Sequence, residues 1–212
     1  MDSIKVIKER RSIRRYLDKE IKLEIVFEIL EAGSYAPSSG NVQNWRFLVV
    51  KDKKKRDEIA DACLGQTWMN QAPVHIVVCG DNKAVSSMYK KKGEKYIVQN
   101  CAAAIQNILL AAYDKGLGSC WVGVFNEDKL RTLLGIPENI SIEAVIPLGY
   151  PAYKPIAEDK KHRRRHRIEF LTFFERYNER ELDFSLWPLV KQYKKIDEKI
   201  NLGKIRNLFK KN

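Results

Sequence analysis

The stretch "EKYIVQNCAAAIQNILLAAYDK", residues 94–115, decides the fold. It is rich in alanine and apolar around much of its girth, the pattern of a helix buried on most sides rather than of a surface helix with one apolar stripe. Gly116 and Gly118 follow it and are expected to end it, because glycine leaves the helical conformation at little cost. Strand-like runs lie on both sides: "WRFLVV" (45–50), "VHIVVCG" (74–80), "CWVGVF" (120–125) and "SIEAVIPLGYP" (141–151). Helical patterns separate them at 3–11, opened by Ser3 as N-cap, at 22–34, and within "KKKRDEIADACL" (53–64) and "EDKLRTLLG" (127–135). Strands alternating with helices around one central helix imply a layered α/β or α+β domain.

A chain of 212 residues, 44% hydrophobic and 31% charged, can build one sizeable core or at most two small ones. It has no apolar run of the roughly 18 residues that a spanning helix needs. The start "MDSIKVIKERR" lacks the apolar centre of a signal peptide, so a cytoplasmic location is expected. Cys63, Cys79, Cys101 and Cys120 are scattered through apolar runs without a C-x-x-C pair, which argues for buried small hydrophobes and against a metal or iron–sulfur site.

Charge is concentrated. "KKHRRRHR" (160–167) and "KQYKKIDEKINLGKIRNLFKKN" (191–212) together account for the whole net charge of +12. Such a footprint suits nucleic acid or an acidic membrane, or else a phosphate pocket plus a solvated tail. No nucleic-acid motif accompanies it, and the basic residues are split into clusters, so neither nucleic acid nor membrane is expected as a partner. A Rossmann-type or P-loop nucleotide site is not expected either: no G-x-G-x-x-G follows a strand and opens a helix, and no Walker lysine is present.

Two other segments carry polar chemistry. "ERRSIRRY" (9–16) crowds four arginines together, and like charges so close repel unless they face water or converge on one anion. Guanidinium forks grip phosphate through paired donors, and Ser12 adds a hydroxyl. "APSSGNVQNWRF" (36–47) places small polar side chains on a loop before a strand. Gly40 there permits close approach or a positive φ. This loop reads either as a polar surface turn or as a binding loop, and Trp45 either lines a cavity or anchors the strand.

In this order and spacing, "RRSIRRY" (10–16), "APSSGNVQNWRFLVV" (36–50), "GLGSCWVGVF" (116–125) and "IPLGYPAYKP" (146–155) resemble the nitroreductase family of flavin mononucleotide (FMN) enzymes, across roughly residues 3–170. The resemblance implies an α+β fold, a mixed β-sheet flanked by helices, built as an intertwined homodimer with two FMN sites at the subunit interface. It implies that Arg10, Arg11, Ser12 and Arg14 hold the phosphate and ribityl end. Pro37, Ser38, Ser39, Asn41 and Gln43 would reach the flavin, the serine loop coming from the partner chain. Trp121, Val122 and Gly123 would lie against the isoalloxazine, with a backbone N–H near its N5. Arg164, or Arg163 if the register shifts by one, matches the family's late phosphate-binding arginine. Arg15 matches no contacting position and is expected on the solvated side.

The chain departs from the family pattern at Asn44, where proline is usual; a looser start to the strand is expected there. Residues 1–175 would form the FMN-binding domain, and 176–212 a basic C-terminal extension with Ile196, Ile200, Ile205 and Leu208 at amphipathic spacing. The implied activity is a ping-pong transfer of hydride from NAD(P)H through FMN to a nitroaromatic, a quinone or a similar small-molecule acceptor. The alternatives are a same-fold flavin-fragmenting enzyme or reductive dehalogenase, and a flavin-binding sensor without turnover.

Overall fold

The structure is a computed structural model of the chain and describes residues 2–153, 166, 168–173 and 175–177. The chain divides into two compact units, Met1–Lys160 and Lys161–Asn212. In the second, the described residues form a single 3-10 turn, Ile168–Phe170, and a contact between the rings of Phe173 and Tyr177. Arg163, Arg164 and the amphipathic positions of the tail lie outside the described residues.

The first unit is layered. Its order is α1 (Ser3–Glu9), α2 (Leu23–Ser34), β1 (Trp45–Val50), α3 (Lys53–Ala62), β2 (Val74–Asp81), α4 (Asn82–Tyr89), α5 (Gly93–Asp114), β3 (Gly118–Ser119), α6 (Glu127–Leu134) and β4 (Ile140–Gly149). The sheet runs β1-β2-β4-β3, and all three ladders are antiparallel. The mixed character expected of the sheet comes from one isolated parallel bridge, Ser12 to Ser119.

β2 is buried on both faces because helices cover both. Val74, Ile76 and Val78 pack with α2 and α5, together with Trp45, Ile105 and Ile108. Val77 and Cys79 turn to the other side, toward Ile59 of α3 and Leu130 of α6. A β-bulge, where Val78 pairs with Ala144 but Cys79 pairs with Ile142, reverses the alternation along β4. Ile142 and Val145 therefore reach the same core although one position is even and the other odd. Trp45 is a strand anchor, buried in the first core.

α5 buries Ile97, Asn100, Cys101, Ala104, Ile105, Ile108, Leu109 and Ala112, and it runs one residue ahead of the expected span at each end. Gly116, at φ +75°, carries the chain out of the helix. Gly118 does not serve as a second stop, since it already lies in β3. Two other expectations shift. Asp2, not Ser3, caps α1, its carboxylate accepting the Ile4 N–H at 3.1 Å. The expected strand at 120–125 reduces to a single bridge in which Val122 and Val145 exchange backbone hydrogen bonds. All four cysteines are free and buried, and burial pushes the Cys63, Cys79 and Cys101 thiols up to about 12.

His75 on β2 is 0% exposed, and burial pushes its pKa down to about 4. Its Nε2 lies 3.0 Å from the Met69 carbonyl, while Nδ1 has no partner among the described residues. The unfolded chain binds a proton here near the ordinary histidine value, about 6.5, whereas the folded chain resists until about 4. The contribution of His75 to stability is thus complete above about pH 6.5 and is lost as pH falls toward 4, by roughly 3 kcal/mol in all. Urea midpoints measured from pH 7 to pH 4 should fall, and His75→Gln should flatten that slope. An unchanged slope in the variant would contradict the assignment.

Candidate functional site

The segment after α1 builds the first half of the site. Residues 12–17 lie along the sheet edge: Ile13 N–H donates to Ser119 O at 2.9 Å, Leu17 N–H to Tyr150 O at 2.8 Å, and Ala152 N–H to Arg15 O at 3.0 Å. Two glycines paired across β3 and β4, Gly118 and Gly149, make this approach possible. A methyl group on Gly118 would sit 2.8 Å from Ile13 Cβ, and one on Gly149 would sit 2.7 Å from the Tyr16 ring. The Tyr16 hydroxyl, raised in pKa by burial, donates to Ile13 O at 2.6 Å and closes the turn.

That placement orients the arginines. Arg10 and Arg11, both half-buried, line a cavity of about 230 Å³ with Ile13, Tyr113, Gly118 and Ser119. Tyr113 is held there by a 3.0 Å hydrogen bond to Glu9. Arg11 also donates at 2.8 Å to the carbonyls of Lys8 and Arg10, so part of its fork closes the end of α1. Ser12 is exposed; burial raises the pKa of the Cys120 thiol, against the opposing influence of Arg14, Ser12 and Arg10. Arg14 lies 5.7 Å over the Trp68 ring, and Arg15 is exposed. Two guanidinium groups beside a pocket floored by glycine and serine suit a dianionic phosphate. The volume falls below the roughly 300–1,000 Å³ of pockets that enclose a whole drug-sized ligand.

Trp121 is 41% exposed and Gly123 is exposed, while Val122 is buried. The Val122 N–H already donates to Val145 at 3.0 Å, so it is not the donor expected for a flavin N5. Among the described residues, the amides of Trp121 and Gly123 donate to no other backbone carbonyl.

The second half is the loop at 37–43. Ser39–Asn41 form a 3-10 turn, and Gly40, Asn41 and Gln43 all take left-handed φ values of +55°, +55° and +49°. Left-handed geometry at two non-glycine residues is backbone strain. Gln43 N–H donates to Ser38 Oγ at 3.1 Å, and its side-chain amide donates to Asn41 Oδ1 at 2.9 Å. Pro37, Asn41 and Gln43 are exposed, and Ser38 and Ser39 are half-buried. Asn41 and Gln43 line a concavity with Glu31, Ser34, Tyr35 and Ala36, apart from the arginine cavity. Within one chain the two groups of candidate residues therefore line separate concavities.

Sequence reasoning missed Asn100 and misjudged Asn44. Asn44 is fully buried, and its Oδ1 accepts from Asn100 Nδ2 at 2.8 Å, so the start of β1 is tied down rather than loosened. Asn100 falls at helical spacing on the face that carries Ile97, Cys101 and Ala104, and a polar residue on that apolar face was the signal available in the sequence.

Comparison with known proteins agrees with this geometry. A model of the nitroreductase family matches residues 7–68 and 64–150. A Methanothermobacter thermautotrophicus protein named putative NADH dehydrogenase/NAD(P)H nitroreductase is 42% identical over 75% of this chain and 82% of its own length. The FMN reductase [NAD(P)H] of Bacillus subtilis is 30% identical over 70% of this chain and 66% of its own. The crystal structure of a Bacteroides thetaiotaomicron protein named putative NADH dehydrogenase/NAD(P)H nitroreductase superposes with a TM-score of 0.70 at 34% identity, covering 85% of this chain and 99% of that one.

Gly118→Ala should cost about 1–3 kcal/mol in chemical denaturation, because the methyl meets the branched carbon of Ile13 rather than a movable tip. Gly123→Ala, whose methyl would stand 3.7 Å from its nearest neighbour, should stay within about 0.5 kcal/mol of the parent. Equal losses at the two positions would contradict the close approach.

Proposed function

Because the chain belongs to the nitroreductase family, we propose that it is an FMN-dependent oxidoreductase that uses NAD(P)H to reduce a small acceptor. The observation that carries the reading is the pair of half-buried arginines, Arg10 and Arg11, turned to a cavity floored by Gly118 and Ser119. The names of relatives that act on FMN and NAD(P)H support it.

The residues present fit the cofactor. Arg10 and Arg11 would hold the phosphate through charge-assisted hydrogen bonds, and Ser12 and Arg14, next along the same segment, would add a hydroxyl and a further positive charge to the binding surface. The amides of Trp121 and Gly123 offer donors to the flavin edge, and the exposed indole of Trp121 shields a ring face from water. Ser38, Ser39, Asn41 and Gln43 supply polar contacts from the second half-site. The chemistry that FMN supplies when bound is two-electron transfer between NAD(P)H and an acceptor such as a nitroaromatic or a quinone. The protein's share is position and electrostatics, so no acid–base pair of its own is required.

The two half-sites come together in a homodimer, the loop of one chain meeting the arginines of the other. An apolar surface supports this reading: Ile4 and Ile7 of α1, Leu23 and Phe27 of α2, and Tyr35 are exposed, Phe27 at 64% and Tyr35 at 80%. Ile7 and Tyr35 meet in one shallow concavity with Leu110 and Ala111, an exposed apolar surface of the kind that marks an interface. Residues 1–175 make up the flavin-binding part and 176–212 a basic appendage. No described helix is long and apolar enough to cross a membrane, and a cytoplasmic setting is part of the same proposal.

Purified protein supplied with FMN should turn yellow, bleach with NAD(P)H without oxygen, and recover colour with a nitroaromatic. A sensor would bind FMN without this turnover. Arg10→Ala and Arg14→Ala should each raise the FMN Kd roughly tenfold to 150-fold, the loss of a charge-assisted contact of about 1.5–3 kcal/mol. Variants that retain full flavin at wild-type affinity would overturn the assignment.

A further inference from the structure

Asn100 is the polar exception on the buried face of α5, 4% exposed among Ile97, Cys101 and Ala104. Its Oδ1 accepts the Ser39 N–H at 2.9 Å, and its Nδ2 donates to Ser39 Oγ at 3.1 Å and to Asn44 Oδ1 at 2.8 Å. Both protons of one side-chain amide are thus committed, to the two ends of one loop. Asn44 is anchored in turn: its carbonyl accepts from Asp81 N–H at 2.8 Å, and its Nδ2 lies 4.0 Å from the Cys101 thiol. An unsatisfied amide buried at this depth is costly, so the network persists only if every member is paired.

The loop held this way is the strained one. Between Ser39 and Asn44 the backbone takes left-handed values at Gly40, Asn41 and Gln43. Asn41 and Gln43 are strained in that region, so a chain free at either end would relax out of it. Asn100 fixes Ser39 and Asn44 relative to each other and leaves the exposed side chains of Asn41 and Gln43 pointing off a rigid frame.

We propose that Asn100 is a positioning residue for the flavin-binding loop, a clamp from the central helix that holds residues 39–44 in the conformation that receives FMN before FMN arrives. This inference rests on the FMN reading above. Preorganisation of this kind lowers the ordering cost of binding, so its loss appears in affinity as well as in stability.

The test compares wild type with Asn100→Leu, which is close in size and makes no hydrogen bond, and with Asn100→Asp, which keeps the acceptor for Ser39 N–H but sets a carboxyl against Asn44. Two quantities are read: amide hydrogen exchange at Ser39 and Gln43 without FMN, and the FMN Kd of protein shown to be folded by protection of β2 and β4. Asn100→Leu should lose loop protection and raise the Kd by at least about tenfold, with Asn100→Asp intermediate in both. Should Asn100→Leu fail to fold, Asn100→Asp alone carries the test. Folded variants with wild-type loop exchange, or with lost protection and wild-type FMN affinity, overturn the proposal. A wild-type chain that binds no FMN overturns the cofactor assignment instead, and is seen before any variant is made.

Discussion

The structure depends on how closely residues 12–17 lie against the sheet edge. Gly118 and Gly149 face each other across β3 and β4, and any side chain there would collide with Ile13 or Tyr16. The contact fixes the direction in which α1 ends. It thereby turns Arg10 and Arg11 toward the cavity beside Ser119 instead of out to water. Arginines crowded this closely repel one another; in the proposed function a dianion in that cavity would offset the repulsion between Arg10 and Arg11.

The other half-site follows from the central helix. α5 spans the layer between α2 and the sheet, so its one buried asparagine can meet the loop that leads into β1. The same element therefore organises the core and the strained loop. The arginine cavity and that loop have separate linings within one chain.

Much of this was legible in the sequence, for physical reasons that differ by element. The run at 74–80 declares itself because burial on both faces forces near-continuous apolarity; the helix at 94–115 and the edge strand at 45–50 are readable from their apolar runs although Val98 and Arg46 are exposed. The segment 120–125 reads as a strand by the same token, yet only Val122 finds a partner, since composition records burial and not pairing. Ser3 and Asp2 are equally good caps by type, and only the local backbone decides between them. Asn44 was misread because a sequence displays the loss of proline's rigidity but not the amide waiting across the helix. The arginines, by contrast, were legible as a cluster, and the structure adds what selects among them: Arg10 and Arg11 turn to the cavity, Arg14 covers Trp68, and Arg15 faces solvent.

The central claim is that the N-terminal guanidinium groups grip a phosphate and not merely a flavin ring. Titrating the apoprotein with FMN and with riboflavin, which lacks only the phosphate, tests it most directly. FMN should bind at least about 100-fold more tightly, as two or more charge-assisted contacts require. Equal affinity for the two flavins would contradict the account.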